Sequence, residues 1–226
     1  MNTLSTAAPA GAHPASSVAP AAGRVLRNTY WLLSATLFFS VAVTAASVAL
    51  KLPHPGIIAT LVGFFGLLYA TTKLRNSAWG LAAVFGLTGF MGYTLGPIVS
   101  QYLAMPNGHQ VVMMAMGGTA TIFVGLSAYA TTSGRDFSFM GGFLLAGIIV
   151  AFLTGLGALF FQIPALSLVV SAVFVLLMGG LILFETSRIV HGGETNYIMA
   201  TVSLYVSIYN LFSSLLALIG FGSNSE

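Results

Sequence analysis

Residues 137–184 read FSFMGGFLLAGIIVAFLTGLGALFFQIPALSLVVSAVFVLLMGGLILF, 48 positions between Asp136 and Glu185 without one charged side chain. A helix needs about 20 apolar residues to cross the ~30 Å hydrocarbon core of a bilayer. The stretch therefore holds two crossings, and Gln162-Ile163-Pro164 near its middle supplies the turn between them. The same reading extends outward. Arg27 to Lys51 encloses 23 uncharged residues, Lys51 to Lys73 encloses 21, Arg75 to Arg135 encloses 59, and Glu194 to Glu226 encloses 31. The 59-residue gap also holds two spans, divided at Ala104-Met105-Pro106-Asn107-Gly108. The sum is an all-α membrane protein with seven helices, near 28–50, 56–72, 78–102, 110–132, 138–161, 165–187 and 196–220.

Composition agrees. Of 226 residues only seven are Lys or Arg and four are Asp or Glu, against about a quarter charged in ordinary soluble domains. A soluble enzyme has too little charge here to cover its surface. The net charge of +3 is scattered rather than gathered into a phosphate-binding patch, which argues against nucleic acid. The absence of cysteine removes disulfides, thiolate catalysis and Cys-ligated metal.

Cations orient the chain. With seven spans, Arg24, Arg27, Lys73, Arg75, Arg135 and Arg188 fall on the side of the N-terminus, and Lys51 falls on the other. The positive-inside bias then places the N-terminus in the cytoplasm and the C-terminus outside. Residues 1–23 are Ala, Pro, Ser, Thr and Gly-rich with no charged side chain, the composition of a disordered cytoplasmic tail. Residues 24–222 form the membrane domain, and 223–226 form a short C-terminal tail.

Polar residues inside the spans are the candidates for function. Asn196, Ser203, Ser207, Asn210 and Ser214 fall within about 60° of one another on the last helix. Such a stripe must face protein or water rather than lipid. It serves either interhelical hydrogen bonding or the lining of a pathway. Tyr205 and Tyr209 lie on another face. Glu185 is the one carboxylate within a span, near its cytoplasmic end, and an intramembrane acid is a functional candidate by default. Arg188, three residues on, is placed to pair with it. Gly86, Gly89, Gly92 and Gly96 share a side of the third helix, with Pro97 directly after. They suit close packing, with a hinge as the alternative. In the loop His191-Gly192-Gly193-Glu194, Gly192 suits the end of the sixth helix, and Thr195 or Asn196 the cap of the seventh. His191 and Glu194 alone fall short of a metal site, so none is expected.

Familiar seven-helix classes fit poorly. A retinal protein needs a lysine deep in its last helix, whereas Lys51 and Lys73 lie in loops. A G-protein-coupled receptor has the opposite orientation. An intramembrane serine protease needs Gly-x-Ser-Gly with a histidine in a neighbouring span, and Ser133-Gly134 lies in a loop. With no nucleophile–base pair in the spans, the sequence reads as a non-enzyme.

Phe184-Glu185-Thr186-Ser187, then His191-Gly192-Gly193-Glu194-Thr195-Asn196-Tyr197, then Leu204-Tyr205-Val206-Ser207-Ile208-Tyr209-Asn210-Leu211-Phe212 resemble the Bax-inhibitor-1 family of seven-helix membrane proteins. Thr88-Gly89-Phe90 and Leu95-Gly96-Pro97-Ile98 resemble it too, and the likeness runs from about Arg24 to Gly222. The His-Gly-Gly-Glu-Thr-Asn-Tyr run is close to the bacterial YccA-like subgroup. The resemblance implies six helices around a central seventh. It also implies an FtsH-type membrane protease, with its associated membrane complex, as the partner to be modulated. No cofactor is implied. The alternative it carries is a pH-sensitive calcium leak using a pair of acids. The first of these is Glu185 here, but Ser207 stands in place of the second, which breaks the pair and weakens that alternative.

Overall fold

The computed structural model describes residues 18–223, and they form seven α-helices. These are α1 (Val18–Ala49), α2 (Ile57–Leu74), α3 (Ala78–Leu103), α4 (Gly108–Thr132), α5 (Gly141–Phe160), α6 (Pro164–Val190) and α7 (Tyr197–Ser223). A 3₁₀ turn, Ser138–Met140, leads into α5. All seven are long and apolar enough to cross a membrane. The expected spans are matched to within a few residues, except at the start of α1. That helix begins at Val18, ten residues before the expected 28, so it takes in the last six residues of the expected tail. The rest of that tail, 1–17, and residues 224–226 lie outside the described residues.

The turns follow from local chemistry. Pro164 is the first residue of α6, where a missing N–H removes no helical hydrogen bond. His191 ends α6, and Gly192 follows at φ +76°, a left-handed conformation that glycine adopts without strain.

Helix α7 packs against α1, α3, α4 and α6, while α2 rests chiefly on α3 and α5 on α6. Of the six helices expected around α7, these four carry the packing and α2 and α5 flank them. Apolar side chains of α1, α3, α6 and α7, among them Leu33, Val84, Leu87, Ile189, Ile198, Leu204 and Tyr205, form one buried cluster. A second joins α5, α6 and α7 around Leu144, Leu177, Ile182 and Leu211.

The seam between α1 and α3 is held by small residues and hydroxyls. A side chain at Gly92 would strike the Ser40 backbone and hydroxyl, and one at Gly96 would strike Ser47. Gly89 makes room for the Phe39 ring. Gly86 faces α2 at Leu67, not α1, so three of the four glycines form the seam. The Thr44 hydroxyl lies 2.9 Å from both the Gly92 carbonyl and the Ser40 carbonyl of its own helix and shares one proton between them, and Ser47 donates to the Tyr93 carbonyl at 3.3 Å. The Ser47 bond has a local cause. Pro97 has no N–H, so the carbonyl four residues earlier loses its partner within the helix. Helix α3 runs unbroken through Pro97. On the inner side of the seam, Ser40 hydrogen-bonds the Tyr205 hydroxyl, which also lies 3.2 Å from the Thr88 carbonyl. Thr94 meets the Tyr209 hydroxyl at 3.2 Å. The two tyrosines thus occupy a face of α7 turned to α1 and α3, as their spacing implies.

Candidate functional site

The sequence singles out the α6–α7 junction, and the structure shows how it is built. Asn196 caps α7. Its Oδ1 accepts the amides of Ile198 and Met199 at 3.0 and 3.1 Å. Its Nδ2 donates to the Arg75 carbonyl at 3.2 Å and to Asn76 Oδ1 at 2.9 Å. One amide side chain therefore starts a helix and ties it to the turn between α2 and α3.

Glu185 faces α7. The Ser207 hydroxyl lies 3.2 Å from Glu185 Oε2 and 3.0 Å from the Ser203 carbonyl, so one proton serves two acceptors. Ser207 is fully buried, while Glu185, Ser203 and Asn210 are partly so. Asn210 donates to the Val206 carbonyl at 2.8 Å within its own helix. The residues expected to gather around Glu185 thus do so through Ser203 and Ser207, whereas Asn210 makes only this local bond.

Arg188 does not pair with Glu185. Its guanidinium donates to the Gly193 carbonyl at 3.0 Å, lies 3.9 Å from Glu194 and rests over the Phe184 ring. The reason is the loop. After Gly192 the chain folds back, with the amides of Gly193 and Glu194 bonding the Arg188 carbonyl at 2.7 and 3.1 Å. That brings a carboxylate to Arg188 while Glu185 is taken up by serines. The other oxygen of Glu194 accepts the Asn196 amide at 2.8 Å. His191 points back along α6, with Nδ1 donating to the Ser187 carbonyl at 2.9 Å. His191 and Glu194 therefore turn to different partners. Among the described residues no three His, Asp or Glu are grouped to hold a metal.

One contact set had no signal in the sequence. The loop after α4 docks on α6 through Ser187, which accepts the Phe137 amide at 2.9 Å and lies 3.5 Å from Asp136 Oδ1 and 3.3 Å from His191 Nδ1. Ser187 is fully buried. Asp, Ser and His meet here, but the carboxylate touches the serine rather than the imidazole, and the imidazole proton goes to a backbone carbonyl. An acyl-transfer relay needs the carboxylate on the imidazole and an accessible hydroxyl. This is a hydrogen-bonded knot that fastens a loop. One residue earlier on α6, Thr186 meets Ser127 of α4 at 3.5 Å. His191 apart, these partners lie 50 or more residues from each other, beyond the reach of any local motif.

The family model described as Inhibitor of apoptosis-promoting Bax1 matches residues 22–225. A protein of Escherichia coli strain K12 called Modulator of FtsH protease YccA is 55% identical over 200 residues, 88% of this chain and 91% of that one. Its counterpart in E. coli O6:H1, with the same identity and coverage, is called Inner membrane protein YccA. An uncharacterized protein of Pseudomonas aeruginosa is also 55% identical, over 202 residues, 89% of this chain and 91% of its own. The match takes in all seven helices, the capped α6–α7 loop and the glycine seam alike, and the chain belongs to the Bax-inhibitor-1 family.

Proposed function

We propose that the chain is a multi-pass protein of a bacterial inner membrane that binds an FtsH-type membrane protease, with its associated complex. There it modulates attack on other membrane proteins and catalyses nothing itself. The observation that carries this reading is the 55% identity, over 88% of the chain, to the protein called Modulator of FtsH protease YccA. The N-terminus is cytoplasmic. In support, six of seven cations fall at that end of the helices. The exposed Trp31, Tyr69, Trp79 and Tyr129 lie there too, as an interfacial belt would. Residues 1–17 precede α1 with no charged side chain, and they offer a cytoplasmic handle that an ATP-driven protease can grip.

The test is crosslinking of the tagged protein in native membranes followed by mass spectrometry, with and without residues 1–17. Cutting there leaves α1 whole. The full chain recovers the protease and its complex, and the shortened chain loses them. Equal recovery from both removes the handle, and recovery of bystanders alone removes the protease.

A second reading rests on Glu185, an acid inside a span that meets the polar stripe of α7 through Ser207. It is a proton-sensitive leak for a cation such as calcium. It requires that Glu185→Gln change pH-dependent flux in proteoliposomes. Wild-type flux no greater than that of empty liposomes at any pH ends it.

A further inference from the structure

Helix α1 carries the N-terminus, so any force applied to that end reaches the bundle through α1 first. Three of its hydroxyls meet α3 and α7. Ser40 lies against Gly92 and hydrogen-bonds Tyr205, Thr44 shares its proton between the Gly92 carbonyl and its own helix, and Ser47 lies against Gly96 and donates to the Tyr93 carbonyl. A fourth, longer contact comes from α7, where the Thr201 hydroxyl donates to the Tyr197 carbonyl of its own helix at 2.8 Å and lies 3.3 Å from the Thr29 carbonyl. Ser40, Ser47, Thr29 and Thr201 are all buried. Water does not replace a bond broken at this depth.

The direction of loading matters. Helices α1 and α3 run the same way, with one span between them. A pull on the N-terminus shears α1 lengthwise along α3, so the bonds are strained together and share the load instead of opening in turn. Sliding is also blocked sterically. The Phe39 ring fills the notch at Gly89, and the Phe85 ring stands edge-on to it at 5.4 Å, one helical turn toward the N-terminal end of α3. Moving α1 in the direction of the pull drives Phe39 into Phe85.

We propose that this seam is a mechanical clamp: Ser40, Thr44 and Ser47, seated against Gly92 and Gly96, hold the first helix against extraction from its N-terminal end. The partner is an ATP-driven machine that pulls on that end. The clamp lets the chain engage the machine without being consumed quickly. Its mechanical part needs only the fold, and its bearing on a protease rests on the function proposed above.

The test is single-molecule force spectroscopy of the full-length protein in lipid bilayers, pulled by an N-terminal tag. S40A/T44V/S47A removes three donors with little change of shape. Leu177→Ala opens a cavity at the α5–α6 contact instead. The triple variant is expected to pass the first extraction barrier about tenfold faster at a given force, which is what one full interhelical hydrogen bond and two weaker ones amount to. Leu177→Ala should leave that barrier in place while lowering thermal stability, and Thr44→Ser, which keeps its donor, should behave as wild type. If the triple variant fails to fold, Thr44→Val alone must show the same sign. An unchanged first barrier, or an equal loss in Leu177→Ala, overturns the clamp. Degradation of the same variants by purified protease separates the two ideas. A barrier that falls without faster degradation keeps the clamp and counts against the protease.

Discussion

Asp136 is an exposed side chain, yet its Oδ1 accepts the Ser138 amide at 2.8 Å and faces the Ser187 hydroxyl at 3.5 Å. The Ser138 side chain and amide hold its carboxyl below the ordinary 3.8; desolvation opposes them with less effect, and His191 and Ser187 add smaller contributions on the lowering side. A depressed folded value means that the ionised form is the one favoured by folding. The stabilisation is complete above the unfolded value and is lost as pH falls through the lower folded one. Thermal unfolding of wild type and Asp136→Asn should therefore differ at neutral pH and converge in acid, below the ordinary carboxylate range. A gap that stays constant from neutral to acid pH would mean that the loop is fastened by something other than this charge. At the same scale, Asn196 shows how one amide joins a helix start to a distant turn, since its partners Asn76 and Arg75 lie 120 and 121 residues away.

Among elements, the α1–α3 seam makes the sharpest demand. An added methyl at Gly92 meets a backbone carbonyl, which cannot swing aside as a side chain can. Gly92→Ala should cost about 1–3 kcal/mol in detergent unfolding, the range of overpacked cores. Gly66→Ala, on α2 with nothing within 4 Å of the new atom, should be neutral or stabilise by up to about 1 kcal/mol through helix propensity. Equal effects would show that the helices have room to part. The spans themselves were legible because lipid excludes charge, so gaps between charged residues measure helices directly. The α7 stripe was legible because residues on one face recur at fixed spacing. The start of α1 escapes the charge-gap reading although Pro20 in its first turn is a start signal. Ala and Gly around it say little about helix or coil, and hydropathy is silent where a helix continues beyond the hydrocarbon. The partners of Arg188 and Ser187 were hidden for another reason. Helical spacing lists neighbours along one face, whereas a loop folding back or docking from 51 residues away supplies competitors that spacing does not list.

The molecule as a whole is a bundle whose last helix touches four others, with six of its seven cations at one end. That asymmetry is open to a direct check, because the chain has no cysteine to remove. Single cysteines at Asn76, between α2 and α3, and at Lys51, between α1 and α2, should react with a membrane-impermeant thiol reagent from opposite sides of sealed cells, Lys51→Cys from outside and Asn76→Cys only after lysis. The reverse pattern would invert the orientation and place the N-terminus beyond reach of a cytoplasmic protease. Pro97 and Ser47 carry a different kind of consequence. Ser47 satisfies a carbonyl that is free only because Pro97 lacks an N–H. A lineage that first exchanges the proline for alanine gives that carbonyl a partner within its own helix, after which the serine hydroxyl can be lost with little penalty. The opposite order passes through a chain with an orphaned carbonyl inside the membrane. The two positions are coupled through that one carbonyl, and the path between their states that keeps it satisfied, in either direction, passes through alanine at 97 with serine still at 47.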